Sequence, residues 1–463
     1  MMRMTIKRKK ELFGTNGIRG IIGKDMNPIL ALHIGMAIGS IRPGKVAIGR
    51  DTRTSGPSLV AAATSGLLAT GCDVIDCGIL PIPALQFVVK DNFTAGIMIT
   101  ASHNPREYNG IKVIDSDGTE MGDDESIQIE ELIGNSDYIL ASWEKIGTVI
   151  QDTRAMQRYI DAIVQSFPPS IGSGTTVVVD PGCGAAYMTT ALLMKSLGCH
   201  VITINAQPDG TFPARTPEPN KDSLIPLMEL VRKTHASFGI AHDGDADRAV
   251  FVDDTGEYVE ENKEFALIAD AICHNASDAG IIVTPVSTSR LVETIAERHN
   301  SSVVYTPVGS IYVARMMRSL RDEGKNVIFG GEGNGGLIYP NHQFCRDGGM
   351  SAAMMLFLVV TRQTSLSNLI RSLPPSSMIK KKVHTAKIQI LLSSVMEKFS
   401  EERQNLIDGI RIDRDDSWAL IRPSGTEPFV RIYVEANDES TAYSFWEEIQ
   451  STIIDTISDC TIE

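Results

Sequence analysis

Apolar residues gather along the chain in short runs, and each run stops at a glycine or a small polar cluster. Residues 45–48, 95–99, 176–179, 238–241, 280–284 and 326–329 are such runs, rich in β-branched side chains and too short for helices, so they are predicted to be strands. Longer stretches with helical spacing follow several of them, as at 58–69 and again up to Leu197. Strand, loop and helix in repetition predict α/β units, whose sheets receive ligands beyond the carboxyl ends of their strands. The polar residues fall at those ends, in Gly49-Arg50-Asp51-Thr52-Arg53, Thr100-Ala101-Ser102-His103-Asn104-Pro105, Asp180-Pro181-Gly182-Cys183-Gly184, Asp243-Gly244-Asp245-Ala246-Asp247-Arg248 and Gly330-Gly331-Glu332-Gly333-Asn334-Gly335-Gly336. The C-terminal part differs. Runs at 418–421 and 429–435 alternate apolar with polar, flank Arg422-Pro423-Ser424-Gly425-Thr426-Glu427-Pro428, and precede a helical pattern at 439–457. That pattern predicts a separate α+β domain, with Leu373-Pro374-Pro375-Ser376 as its linker.

Length and charge narrow the function. At about 100–200 residues per domain, 463 residues imply three or four domains, and 43% hydrophobic with 22% charged residues indicates globular folding. The chain carries 43 Lys+Arg against 57 Asp+Glu, a formal charge of −14, which disfavours nucleic acid and anionic membrane surfaces as partners. The apolar run at 352–360 is too short to span a bilayer and is predicted to be a buried helix. Basic residues Lys7 to Lys10 are followed by no apolar stretch of the kind that secretion signals need. Cys72, Cys77, Cys183, Cys199, Cys273, Cys345 and Cys460 form an odd, scattered set without a C-x-x-C pair, which suits reduced thiols and a cytoplasmic setting. An anionic substrate would have to be met by a local positive site.

The Asp243–Arg248 segment carries the strongest chemical signal. Three carboxylates at alternate positions converge only where something positive offsets their repulsion, and Mg²⁺ does so most readily beside a phosphate. A solvated acidic turn fits poorly, because apolar runs precede and follow the segment. An EF-hand is excluded, since Arg248 stands where that loop needs glycine. Ser102 follows a predicted strand at an Asn-Pro turn, where a nucleophile or phosphate carrier could stand, but on this segment alone an ordinary turn serine is the stronger reading; no G-x-S-x-G elbow occurs. His103, adjacent in sequence, is better placed to position a group than to activate Ser102. The 422–428 segment with Arg431 has the composition of a phosphate cradle and equally that of a hairpin turn, and Arg19 in the glycine-rich 13–20 loop is open to the same two readings. Residues 331–336 satisfy G-x-G-x-x-G, but Leu337-Ile338-Tyr339-Pro340 follows where a dinucleotide site needs a helix. Glu332 and Asn334 can instead face sugar hydroxyls. A Walker A motif is absent.

Taken together and in this order, the 13–20 loop, 100–105, Tyr108-Asn109-Gly110-Ile111-Lys112, 243–248, the Glu332 loop and 422–428 closely resemble the α-D-phosphohexomutase superfamily, which includes phosphoglucomutases, phosphomannomutases and phosphoglucosamine mutases. Pro208-Asp209-Gly210-Thr211-Phe212-Pro213 matches a further segment of that family. The resemblance implies three similar α/β domains plus a C-terminal α+β, TATA-binding-protein-like domain around a central cleft. They are expected at 1–150 with the phosphoserine loop, 151–254 with the metal loop, 255–373 with the sugar loop and 374–463 with the phosphate loop.

The resemblance also implies roles. Ser102 is the serine that carries the phosphoryl group, and its phosphate holds Mg²⁺ with Asp243, Asp245 and Asp247. Arg19 and Arg248 pair with phosphoryl oxygens, while Lys112 and His103 match positions tied to proton transfer and to the surroundings of the phosphoserine. Glu332 and Asn334 match the sugar loop; Arg422, Ser424, Gly425, Thr426 and Arg431 match the clamp on the phosphate that is not transferred. The implied reaction interconverts hexose 6-phosphate and hexose 1-phosphate through a hexose 1,6-bisphosphate that acts as intermediate and activator. Glucosamine 6-phosphate is the favoured substrate. Glu-Gly-Asn-Gly-Gly resembles archaeal phosphoglucosamine and phosphomanno-/phosphoglucomutases, whereas many relatives carry serine where Asn334 stands. A broad phosphomanno-/phosphoglucomutase is the alternative within the class. A Mg²⁺-dependent sugar phosphatase and a non-catalytic sugar-phosphate-binding paralogue are the alternatives outside it. Homodimer and monomer are both compatible with the sequence.

Overall fold

The computed structural model describes residues 12–14, 17–424, 428–457 and 461–462. The chain divides into two compact units, the first formed by residues 1–264 and 334–368 and the second by 265–333 and 369–463.

The first unit holds two sheets. One has six strands in the spatial order Ile18–Ile21, Tyr108–Asp115, Ala95–Ile99, Lys45–Arg50, Asp73–Ile79, Val149–Gln151. Its central strands read as near-continuous apolar runs because both faces are covered: Val46, Ile48, Ile97, Ile99 and Ile111 are buried in one core with residues of the helices Pro28–Ile41 and Gly56–Ala69, and Ala47 and Met98, which alternate with them, are buried as well. The sheet is mixed rather than parallel. Tyr108–Asp115 returns antiparallel to Ala95–Ile99 immediately after the serine segment, with Met98 opposite Lys112, and this return carries Lys112 to the functional loops. The second sheet runs Ala249–Val252, Phe238–His242, Thr176–Asp180, His200–Thr203, with the first pair antiparallel and the others parallel.

The helix predicted around 352–360 spans Gly348–Arg362, and Met350, Ala352, Ala353, Met355, Leu356 and Leu358 are buried in it. Asp347 caps it by accepting from the Met350 N–H, a bond worth about 1 kcal/mol in such positions. After Asp180 the chain turns through 181–188 before the helix Thr189–Ser196 begins, later than the sequence pattern suggested. Among the described residues no single helix is long and apolar enough to cross a membrane.

In the second unit the strands Ile281–Pro285, Ser302–Thr306 and Val327–Glu332 pair in parallel. The last runs three residues beyond the predicted end, because Gly330 still pairs with Val283, and Glu332 is therefore the final strand residue. The C-terminal sheet is wholly antiparallel, in the order Arg403–Asn405, Ile410–Asp413, Ser417–Pro423, Phe429–Ala436, Ser377–His384, Thr461–Ile462. The helices Ile388–Lys398 and Glu439–Thr456 pack on it through Leu391, Val395, Phe445, Trp446, Ile449 and Ile453. Arg411, buried, lies between the rings of Tyr305 and Trp418, 4.7 and 4.4 Å from their centroids, and donates to the Val286 carbonyl.

One buried group opposes stability. Glu264 is fully buried and neither carboxyl oxygen has a hydrogen-bond partner. Burial, reinforced by Glu261 and Glu260, raises its pKa well above the ordinary value. The folded chain thus keeps a proton that the unfolded chain releases, and stability falls as pH rises from the unfolded pKa toward the folded one. Glu264→Met is expected to gain about 1–3 kcal/mol at pH 8, with the gain narrowing toward pH 5. Thermal melts at the two pH values check this; an equal gain at both contradicts it.

Candidate active site

The serine and aspartate segments meet within the first unit, each at the carboxyl end of a buried strand. Ala95–Ile99 delivers Ser102 and Phe238–His242 delivers Asp243. Ser102 has φ 52°, a left-handed conformation that side-chain-bearing residues adopt at a cost of roughly 1–3 kcal/mol unless the surroundings enforce it. Its hydroxyl donates to Asp243 Oδ2 at 2.6 Å. Gly244 permits this approach, since a Cβ there would stand 2.4 Å from the Ser102 carbonyl oxygen.

Asp243, Asp245 and Asp247 are buried, and each offers a carboxylate oxygen within 4.8 Å of the others. Cations surround them. Lys112 Nζ, itself buried, reaches Asp245 Oδ2 at 2.8 Å and Asp247 Oδ2 at 3.3 Å. Arg346 Nη2 reaches Asp247 Oδ2 at 2.5 Å, and Arg248 Nε lies 3.9 Å from Asp247 Oδ1. Arg19 donates to the Asn104 side chain at 2.8 Å and adds to the field on Asp245 and Asp247. Burial and the neighbouring Asp247 and Asp245 push the Asp243 pKa well up. Burial acts in the same direction on Asp245, but Lys112 and the arginines at 19 and 346 overcome it and hold Asp245 low. Lys112 is raised: burial alone would lower it, and the two aspartates outweigh burial. Asp245 Oδ1 and Asp247 Oδ1 are buried without a hydrogen-bond partner among the described residues. Orphaned, clustered carboxylate oxygens are the donor set a hard divalent cation requires, so the residues present fit Mg²⁺.

His103 is not placed as a base for Ser102. Its Nδ1 accepts from Arg248 Nη2 at 2.8 Å, while the Ser102 Oγ is 3.4 Å away and its proton already points to Asp243. Burial, aided by Arg248 and Arg19, pushes the His103 pKa down to about 3, so the ring is neutral and can accept. Asn334 also belongs to the first unit, in a turn whose Gly335 carbonyl accepts from Ala249 N at 3.1 Å, next in sequence to Arg248. Two contributors escaped the sequence reading: Glu218, which accepts from Arg248 Nη1 at 3.1 Å, and Arg346. Neither stands in a motif that the sequence singled out.

The remaining sequence candidates lie in the second unit. Glu332 is buried at its strand end. Arg422 and Arg431 sit directly opposite on adjacent strands, and Lys382 opposes Arg431 on the next. Like charges so paired are destabilising, and among the described residues only Arg422 of the three has a close carboxylate partner, Asp408 at 2.6 Å. Such a row of cations is the arrangement an anion relieves, and Lys382 was invisible before the strand register was known. Ser424 is half-buried beside it, while Gly425 and Thr426 lie outside the described residues.

Strand-end loops that surround a buried hydroxyl with carboxylates and guanidinium groups have the make-up that phosphoryl transfer requires. Four family models described as phosphoglucomutase/phosphomannomutase match consecutive parts of the chain: alpha/beta/alpha domain I at residues 10–139, domain II at 157–256, domain III at 260–376 and the C-terminal domain at 379–450. A phosphoglucomutase/phosphomannomutase of Thermococcus kodakarensis is 41% identical, covering 94% of this chain and 97% of that relative. A phosphoglucosamine/phosphogalactosamine mutase of Sulfurisphaera tokodaii is 37% identical, covering 96% and 99%. The crystal structure of a phosphoglucomutase/phosphomannomutase family protein from Burkholderia thailandensis superposes with a TM-score of 0.87 at 25% identity, over 97% of this chain and 98% of the other. The chain belongs to the phosphoglucomutase/phosphomannomutase family, within the α-D-phosphohexomutases, and is a phosphohexomutase, an isomerase.

Proposed function

We propose that the chain interconverts hexose 6-phosphates and hexose 1-phosphates through a phosphorylated Ser102 and a hexose 1,6-bisphosphate, with glucosamine phosphate as preferred substrate. The observation that carries the reading is the Ser102 hydroxyl, buried and 2.6 Å from Asp243 inside a ring of cations. In the forward direction the bond between phosphorus and the Ser102 oxygen breaks as one forms to the free sugar hydroxyl, which loses its proton while the Ser102 oxygen gains one. After the bisphosphate turns round, the bond between its other phosphorus and the sugar oxygen breaks as one forms to the Ser102 oxygen, which loses its proton while the sugar oxygen gains one. Asp243, Asp245, Asp247 and the Ser102 phosphate would hold Mg²⁺. When bound, that ion offsets the negative charge of the phosphoryl group in transfer.

The protein groups then have distinct tasks. Arg19 and Arg248 orient the phosphoryl oxygens. Lys112, kept protonated by Asp245 and Asp247, is assigned to proton transfer, and neutral His103 holds Arg248 in place. We assign Asn334 and Glu332 to sugar hydroxyls, and Arg422, Ser424, Gly425, Thr426 and Arg431 to a phosphate. The cation row across Arg422, Arg431 and Lys382 supports the last assignment. The Sulfurisphaera relative's name supports glucosamine; the Thermococcus relative's name supports the broader glucose and mannose alternative. We also propose a cytoplasmic setting, in keeping with six unpaired cysteines among the described residues.

The test compares mutase rates on glucosamine, glucose and mannose 6-phosphates with Mg²⁺ and a trace of 1,6-bisphosphate. The fastest rate is expected with glucosamine 6-phosphate. Comparable rates on all three would overturn the preference, and release of free phosphate without isomer would indicate a phosphatase instead.

A further inference from the structure

Two polar segments of the sequence have no part in the proposed reaction: 49–53 and 208–213. The structure joins both to the serine loop. Arg53 is fully buried, and every N–H of its guanidinium group has an acceptor. Nε donates to Asp51 Oδ2 at 3.1 Å. Nη1 donates to the carbonyls of Pro105 at 2.7 Å and Tyr108 at 2.8 Å. Nη2 donates to those of Ser102 at 2.9 Å and Asn104 at 2.7 Å. Asp51 is fixed in turn, accepting from the Arg53 N–H at 2.9 Å and from Thr100 Oγ1 at 2.7 Å, and Thr100 Oγ1 accepts from the Ser102 N–H at 2.9 Å.

The 208–213 segment covers this cluster. The Phe212 ring lies 5.2 Å from the guanidinium carbon and is buried. A Cβ on Gly210 would stand 2.3 Å from the Thr52 carbonyl oxygen and 2.6 Å from the Arg53 Cα, so the two stretches of backbone are in direct contact. Four carbonyls turned toward one point repel each other unless a cation satisfies them. A planar, five-donor fork does so in one geometry; a lysine, with three donors on a flexible stem, does not. The carbonyls held are those that shape the turn in which Ser102 keeps its left-handed backbone.

We propose that Arg53, covered by Phe212, is the positioning residue that locks the serine loop and aims the Ser102 hydroxyl at Asp243. The inference rests on the reading of Ser102 as the group that carries the phosphoryl. Its test uses the full chain with Arg53→Lys, folding being checked by circular dichroism. Amide hydrogen exchange over 102–108 is expected to quicken about tenfold or more. At the same time kcat falls about 100-fold, because a displacement near 1 Å costs that much, while KM stays within about threefold since Arg53 makes no contact proposed for the sugar. Wild-type exchange, wild-type kcat, or a loss confined to KM overturns the proposal. If Arg53→Lys does not fold, Phe212→Leu decides, with faster exchange at 102–108 and a kcat lower by about tenfold expected, and wild-type values in either overturning it. Exchange does not depend on turnover. A wild type without mutase activity therefore defeats the functional reading separately, and exchange alone then decides the clamp.

Discussion

Ser102→Ala is expected to lose roughly four orders of magnitude or more in mutase turnover, because the proposed covalent route through a seryl phosphate disappears with the hydroxyl. The loss should be chemical rather than structural. The substitution removes one buried hydrogen bond, from Oγ to Asp243 Oδ2, worth about 1–2 kcal/mol at most, and alanine meets the φ of 52° with no more strain than serine does. Circular dichroism and a thermal melt should therefore show a folded protein, while assays in both directions show the rate gone. Retention of a tenth of the wild-type rate would contradict a carrier role for Ser102.

The largest effect on stability is expected from Lys112→Met. Lys112 is buried and its ammonium lies between Asp245 and Asp247. Removing one partner of a buried ion pair leaves uncompensated charge and typically costs about 3–5 kcal/mol. The aspartates are also the cluster assigned to Mg²⁺, so the penalty should depend on the ion. In EDTA the variant should show the full deficit by chemical denaturation; in saturating Mg²⁺ the deficit should shrink, because a divalent charge at the same carboxylates replaces the missing one. A deficit of the same size in both conditions contradicts the assignment of the ion to these aspartates. The same variant should be nearly inactive if Lys112 supplies the proton that the departing oxygen gains.

Particular residues show why some of this was legible in the sequence. The Asp243–Arg248 segment could be read because three carboxylates between two apolar runs are costly without a counter-charge, and the structure places all three together with Lys112 supplying part of it. The strand–loop–helix order, the buried helix over 352–360 and the alternating strands of the C-terminal α+β domain follow from local periodicity, which a single sequence contains. Long-range geometry does not. The antiparallel return of Tyr108–Asp115 carries Lys112 to residues more than a hundred positions away, and nothing local marks it. Arg346 and Lys382 owe their importance to a neighbour across space and to strand register. Arg53 looked like one more polar loop residue, because its five acceptors are mostly backbone carbonyls, which every sequence contains.

The central claim is that Ser102 carries the phosphoryl group between the two ends of the sugar. Its most direct test is mass spectrometry of the full-length enzyme after incubation with hexose 1,6-bisphosphate and Mg²⁺, with the site located by peptide fragmentation. One phosphoryl group on Ser102 is predicted, lost to product on addition of hexose phosphate and absent from Ser102→Ala. An enzyme that isomerises hexose phosphates while Ser102 stays unmodified would contradict the account.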